Sequence, residues 1–273
     1  CSQLLSASEK GAQEEASDEN QQLQHALQQN TQDILTRETE RFAALGWAPQ
    51  TLVRQGHAAD AIVSAAEALG TDVIALGSRG LGGVKRFLLG SVSEQVMTYA
   101  PCSVLMVRQP DDHSNGSEGA PTAQSGERGQ PLRILLAYDG SPTAEAAVET
   151  LDSLSLDEHT HILATTVMTL MTYYRMDIIQ TTSPSWQAKK QAAQDSLEQV
   201  ERRLRRLTPN VTVELREGDD TSQEILDAAH DFNADLIVVG HRGQSGIERL
   251  LLGSVATRVV HHAPCSVWII RKS

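Results

Sequence analysis

Apolar residues in this chain fall into two patterns: short unbroken runs, and longer stretches spaced as on one face of a helix. The run DLIVV at 235–239 predicts a buried strand. It leads into GHRGQSGIERLLLGS at 240–254, after which VATRVVHH at 255–262 carries helical spacing. The same succession stands earlier, where DVIAL at 72–76 precedes GSRGLGGVKRFLLGS at 77–91 and a helix opening at Ser91. Each succession closes on APCSV and a last apolar run, which predicts strands at 103–107 and 266–270.

From the start, residues 1–22 are polar and acidic and predict a loop or disordered lead-in. Leu23, Leu27, Ile34 and Leu35 give residues 23–42 an apolar face, hence an amphipathic helix, which Gly46 and Pro49 end. A short strand is expected at 51–53. A helix at 58–69 turns Ile62, Val63, Ala66 and Leu69 inward and stops at Gly70. Residues 109–130, QPDDHSNGSEGAPTAQSGERGQ, lack apolar periodicity and read as a flexible linker between domains at 1–108 and 131–273.

In the second domain, strands are predicted at 132–138, 162–168 and 211–215. Ser141-Pro142 starts a helix running to about Leu154, with proline where its missing N–H costs nothing. A long helix turns Ala193, Leu197, Val200, Leu204 and Leu207 to one side, until Pro209. Thr221 and Glu224 read as a capping box before Ile225, Leu226, Ala229 and Phe232. Strand and helix alternate, which implies a parallel sheet with helices on both faces. Ligands of such sheets bind at the carboxyl ends of strands where strand order switches, and Asp139 and Gly240 are both expected there.

Composition narrows the partners. The 273 residues, 40% hydrophobic and 21% charged, suit globular domains and leave room for two. No apolar run approaches the length of a membrane helix. A formal net charge of −12 argues against nucleic acid or an anionic membrane. Cys1, Cys102 and Cys265 make no disulfide framework and point to a reducing cytoplasm.

Gly77 and Gly240 lie 163 positions apart, as do Gly80 and Gly243, Gly90 and Gly253, Ser91 and Ser254, and the two APCSV motifs. The halves are therefore copies of one domain. Nothing stands 163 positions before Asp139, so the first copy is expected to lack its opening strand, first helix and second strand, an N-terminal truncation. The repeated stretch suggests anion binding. Glycines leave backbone N–H groups uncovered, and a helix N-terminus, with Ser254 as its N-cap, adds a favourable dipole.

Gly-x-x-Gly, nine residues, then Gly-Ser, with Asp139-Gly140-Ser141 ending the opening strand, resembles the universal stress protein family. HRG…LLGSV and SRG…LLGSV resemble its ATP-binding branch, and the resemblance covers about residues 23–108 and 132–271. It implies an α/β fold of the adenine nucleotide alpha hydrolase-like kind: an open parallel five-stranded sheet, order 3-2-1-4-5, in two tandem copies. It also implies pairing through the last strand, within the chain or in a homodimer, and ATP with Mg²⁺ as ligand. By that resemblance Asp139 would hold the ribose and Ala137 would line the adenine pocket. Thr166 would sit where backbone hydrogen bonds reach adenine. Gly240, Gly243, Gly253, Ser254 and Val255 would wrap the triphosphate. In the first half Gly77, Gly80, Gly90, Ser91 and Val92 match the phosphate part alone, so a weak or empty site is expected there.

Other residues carry two readings. Arg242 and Arg79 pair with phosphate or are solvated loop residues. His241 is a general base or plain polar surface. Cys102 and Cys265 read as buried, inert thiols, and ERRLRRL at 201–207 as a solvated, ion-paired face. There is no Walker lysine and no acid placed for a metal, so at most slow ATP hydrolysis is expected. The expected function is that of a nucleotide-dependent stress sensor or regulator. A slow ATPase or nucleotidyl-transferring enzyme, and an interaction module with a vestigial site, are the alternatives.

Overall fold

The structure, a computed structural model, describes residues 25–78, 89–108, 131–170, 183–244 and 252–272. Residues 1–55 and 56–273 form two compact units. In the first, residues 25–44 are helical (α1), and Gly46, at φ 83°, turns the chain out of the helix. On α1, Leu27 is 57% and Phe42 45% exposed.

The strand expected at 51–53 does not form, and Leu52 and Val53 lie exposed. The repeat supplies the reason. Positions 47–55 correspond, 163 residues on, to a strand at Asn210–Gly218 that is held by its neighbour at His161–Thr169. Among the described residues of the first half, no strand pairs with residues 51–53 to hold them in a ladder.

The second unit contains, in order, α2 (Ala58–Leu69), β1 (Val73–Gly77), α3 (Ser91–Tyr99), β2 (Ser103–Val107), β3 (Arg133–Ala137) and α4 (Pro142–Asp152). There follow β4 (His161–Thr169), α5 (Pro184–Leu204), β5 (Asn210–Gly218), α6 (Thr221–Phe232), β6 (Leu236–Gly240), α7 (Ser254–His262) and β7 (Ser266–Ile270). They build one seven-stranded sheet, β1-β2-β7-β6-β3-β4-β5. Its strands pair in parallel except β2 with β7. The second half's strands keep the expected order 3-2-1-4-5. The expected five strands become seven because β1 and β2 of the first half continue the same sheet across the antiparallel junction.

Strand residues alternate between faces. Leu135, Ala137, Leu163, Ile237 and Val239 pack with α2, α3, α6 and α7. Ile134, Leu136, Ile162, Ala164 and Val238 pack with α4 and α5. Each fully buried Leu or Ile contributes about 1.5–3 kcal/mol, so this two-sided burial fixes the register. Among the described residues β1 pairs with β2 alone, and its Val73 and Ala75 are exposed.

The junction repeats the offset of 163 in its contacts. Arg108 donates from Nη2 to Val260 O (2.6 Å) near the end of α7, and Arg271 donates from Nη2 to Met97 O (2.8 Å) near the end of α3. The Arg108 N–H donates to Ser266 Oγ and the Arg271 N–H to Ser103 Oγ, each at 3.1 Å. Leu105 pairs with Trp268, its own counterpart, so the two halves meet about a local two-fold axis.

Two expected caps shift by one residue. Gly253 is still extended (φ −72°, ψ 151°), so it stands at the N-cap and Ser254 is the first helical residue of α7. Asp220, not Thr221, caps α6, because its carboxylate reaches the N–H groups of Ser222 and Gln223.

Candidate functional site

Strand order switches between β3 and β6, whose crossovers run to opposite sides, and a cavity of about 320 Å³ opens at their carboxyl ends. One side is the turn after β3. There Asp139 accepts from the Ser141 N–H at Oδ1 (2.9 Å), and the Ser141 hydroxyl caps α4 through Ala144 N. The other side is the glycine stretch after β6. The Gln244 N–H donates to Asp139 Oδ2 (3.0 Å), its side-chain amide to Asp139 O, and the Thr143 hydroxyl to Arg242 O. The two turns are thus laced together across the switch point.

Three glycines are required here by close approach, since none of them has positive φ. A Cβ at Gly240 would strike the Thr143 hydroxyl, and one at Gly243 would lie 2.8 Å from Asp139 Oδ2. At Gly253 it would come 3.1 Å from His241 O, which accepts the Gly253 N–H at 2.8 Å. That last frame is built twice. His241 N to Ile270 O (2.9 Å) and Gly253 N to His241 O recur as Ser78 N to Val107 O (3.1 Å) and Gly90 N to Ser78 O (3.0 Å). Gly90 has nearly the backbone angles of Gly253, φ −71° and ψ 148°.

Positive charge gathers at this end of the sheet. Arg242 lines the cavity, and its Nε is buried with no hydrogen-bond partner. Burial, then the charge of Arg242, holds the Arg271 guanidinium below its usual range. Burial first, then Arg271, pushes His241 below the usual histidine value, although its Nδ1 lies 3.2 Å from Ile270 O. His241 is therefore the neutral member of a cationic group, and Asp139 is the acid across the cavity from it.

Of the residues expected at a nucleotide site, Ala137, Asp139, Gly240, Arg242, Gly243, Gly253, Ser254 and Val255 line this one cavity. Thr166 does not. It has the parity of Ala164, which faces the opposite core, and its hydroxyl donates to Tyr138 O at 2.7 Å. Its neighbours Thr165 and Val167 line the cavity in its place. Thr221, Ile225 and Val239 complete the wall and were not expected at the site from the sequence. The period-two pattern of β4 was the signal that could have found Thr165 and Val167. In the first half Gly77 ends β1, Gly90 caps α3, Ser91 begins it and Val92 packs on the core, while Gly80 and Arg79 lie outside the described residues.

The cysteines fit the inert reading. Burial raises the Cys102 thiol and pushes that of Cys265 up to about 12. Of the ERRLRRL face, Arg203 is half-buried in a bridge to Glu145 (2.9 Å) and Asp152 (3.1 Å), and Arg205 pairs with Glu201.

Comparison with known proteins places this geometry in a family. The model of the universal stress protein family matches residues 2–108 and 132–271. A universal stress protein of Mycolicibacterium smegmatis is 28% identical over 227 residues, spanning 83% of this chain and 70% of that one. One of Mycobacterium tuberculosis is 27% identical over 203 residues, spanning 74% of this chain and 62% of that one. Among solved structures, a universal stress protein of Archaeoglobus fulgidus superposes with a TM-score of 0.56 at 21% identity, covering 90% of this chain and 77% of its own. A Pseudomonas aeruginosa structure reaches 0.59 at 15% identity, covering 88% and 77%. At these identities the two structures bear on the fold alone.

Proposed function

The chain belongs to the universal stress protein family, and from that premise we propose that its second half binds ATP and that the bound nucleotide sets the state of a stress-response regulator. One observation carries the reading: a cavity at the switch point with a carboxylate at one end and a glycine frame at the other, where the Arg242 Nε is buried and unpartnered. The residues fit the group. Asp139 would hold the ribose hydroxyls, and Ala137, Val167, Val239 and Ile225 would flank the base. Gly240 and Gly243, which leave no room for a Cβ, and Gly253, where one would be tight, would let the glycine stretch approach the phosphates closely beside Arg242, Ser254 and Val255. Bound ATP supplies a triphosphate whose negative charge answers the Arg242–Arg271 pair, and Mg²⁺ would arrive on those phosphates.

The arrangement supports holding over turnover. Asp139 already accepts two backbone N–H groups, and the neutral His241 ring faces a backbone carbonyl. The first half keeps the Gly90 backbone frame, while the carboxylate of Asp139 stands opposite the Gly253 frame of the second half, which favours the second half as the site. In β2, β7 has an antiparallel partner within the chain, so pairing through the last strand needs no second copy. We place the protein in the cytoplasm. Among the described residues no helix is long and apolar enough to cross a membrane, and Cys102 and Cys265 are free thiols. The test is extraction: protein purified without added nucleotide, denatured, and its supernatant separated by ion-exchange chromatography. ATP released at a substantial fraction of the protein supports the reading, and a chain that neither carries ATP nor takes it up overturns it.

A further inference from the structure

A titratable ring stands at the glycine-frame end of the cavity, and the fold fixes which of its nitrogens takes a proton. His241 is half-buried and belongs to the cavity wall. Its Nδ1 lies 3.2 Å from Ile270 O, and a carbonyl can only accept, so Nδ1 carries the hydrogen of the neutral ring. Nε2 holds the lone pair and is the nitrogen left to be protonated. The backbone of the same residue is part of the frame: His241 O accepts the Gly253 N–H at 2.8 Å, and the His241 N–H donates to Ile270 O at 2.9 Å. The charges that act on the ring are both cationic, Arg242 beside it in the glycine stretch and Arg271 at the end of β7. Arg271 is turned to the carbonyls of Met97 and Thr98 on α3 and to the Cys102 thiol, which burial keeps neutral. The first turn of α7 brings no acid, and Asp139, across the cavity, is engaged by Ser141 N and Gln244 N. Burial first, then Arg271 and Arg242, therefore work against a proton on this ring. A phosphate chain at the glycine frame would offset the arginine charge and attract the proton itself.

We propose that His241 makes nucleotide binding proton-linked: its Nε2 takes up a proton as the phosphates arrive, so the site holds ATP more tightly in acid. This rests on the nucleotide reading above and adds to it a response to pH that Arg242, always charged, cannot supply. The sign follows from the two states. The free ring is neutral at neutral pH and the bound ring stays charged to a higher pH, so between the two midpoints a fall in pH favours the bound state. Linkage is reciprocal: a phosphate chain that raises the ring's proton affinity about three- to tenfold makes acid raise ATP affinity by the same factor.

Calorimetric titration with Mg-ATP at about pH 8 and about pH 6, on either side of the ordinary histidine value, reads the affinity. Repeating it in two buffers of different ionisation heat reads the protons taken up. His241→Gln keeps a side-chain donor for Ile270 O and removes the titration. From the higher pH to the lower, wild type should gain about three- to tenfold more affinity than the variant gains. The titration of the nucleotide itself is common to both and cancels. Wild type should also take up more protons per ATP than the variant does. The His241 imidazole of wild type, followed by NMR, covers the case of a glutamine variant that folds poorly: its titration midpoint should rise when ATP is added. Equal pH dependence in wild type and variant, or a midpoint that bound ATP leaves in place, would overturn the assignment alone. Wild type that binds no ATP at either pH would instead remove the nucleotide reading, and this inference with it.

Discussion

Gly243→Ala tests the lacing of the two turns at one atom. The added methyl would sit 2.8 Å from Asp139 Oδ2. A carbon and an oxygen in ordinary contact stand about 3.3 Å apart, so one of them must move by roughly half an ångström. The glycine turn is fixed on its far side by the His241 N–H on Ile270 O, so the carboxylate gives way. In moving it strains the bonds from Ser141 N (2.9 Å) and Gln244 N (3.0 Å). A hydrogen bond to a charged group is worth about 1.5–3 kcal/mol. Losing most of one lowers stability by about 1–2 kcal/mol and tilts the group proposed to hold the ribose. Since about 1.4 kcal/mol is tenfold in affinity, the same loss carried into binding makes ATP bind roughly five- to thirtyfold more weakly. Calorimetric titration measures the affinity and thermal unfolding the stability. Binding within twofold of wild type, with an unchanged melting temperature, would refute the claim that Gly243 is required by the approach of Asp139.

Further consequences follow from the same geometry. The Cys265 thiol is raised by burial to about 12, so its contribution to stability is complete below the unfolded value near 9 and is lost as pH rises from there towards 12. Cys265→Ala should flatten that alkaline limb, and native Cys265 should resist alkylation at pH 8 until the protein unfolds; rapid labelling would contradict its burial. His241 is shifted downwards, so its contribution is present above the ordinary histidine value and is lost as pH falls through the lower folded value. His241→Gln should therefore make the melting temperature less sensitive to acid below the ordinary histidine value near 6.5, and an unchanged slope would show that other groups govern it. Arg271→Ala removes the donor to Met97 O and Thr98 O, so amide exchange in α3 should quicken while β3 and β4 stay protected. Uniform exchange across both halves would mean that this arginine does not clamp the junction.

Much of the fold was legible because hydrophobic period and element coincide. The helix 58–69 and the strands 103–107 and 266–270 stand at the expected residues. Their runs are bounded by Gly70, by Pro101 and Pro264, and by a change of period. What escaped the sequence depends on neighbours. Thr51, Leu52 and Val53 have strand propensity, yet a strand exists only where another holds it. The cap of α7 fell at Gly253 because the backbone remains extended there, which the hydroxyl of Ser254 does not reveal. The site was legible wherever glycine spacing marked it; at β4 the expectation concerned the backbone at Thr166, and the residues that line the cavity are its neighbours Thr165 and Val167. There the residue that matters is decided by which face of the sheet an odd or even position meets. The reciprocal bonds of Arg108 and Arg271 were implicit in the offset of 163 and needed the antiparallel pairing of β2 with β7 to become visible.

The central claim is that the turn after β3 and the glycine stretch after β6 together hold one ATP. A calorimetric titration of the nucleotide-free chain with Mg-ATP, repeated with Asp139→Ala, tests it most directly. The account predicts saturable binding at one ATP per chain, with affinity lost in the variant. No heat of binding, or binding that Asp139→Ala leaves intact, would contradict it.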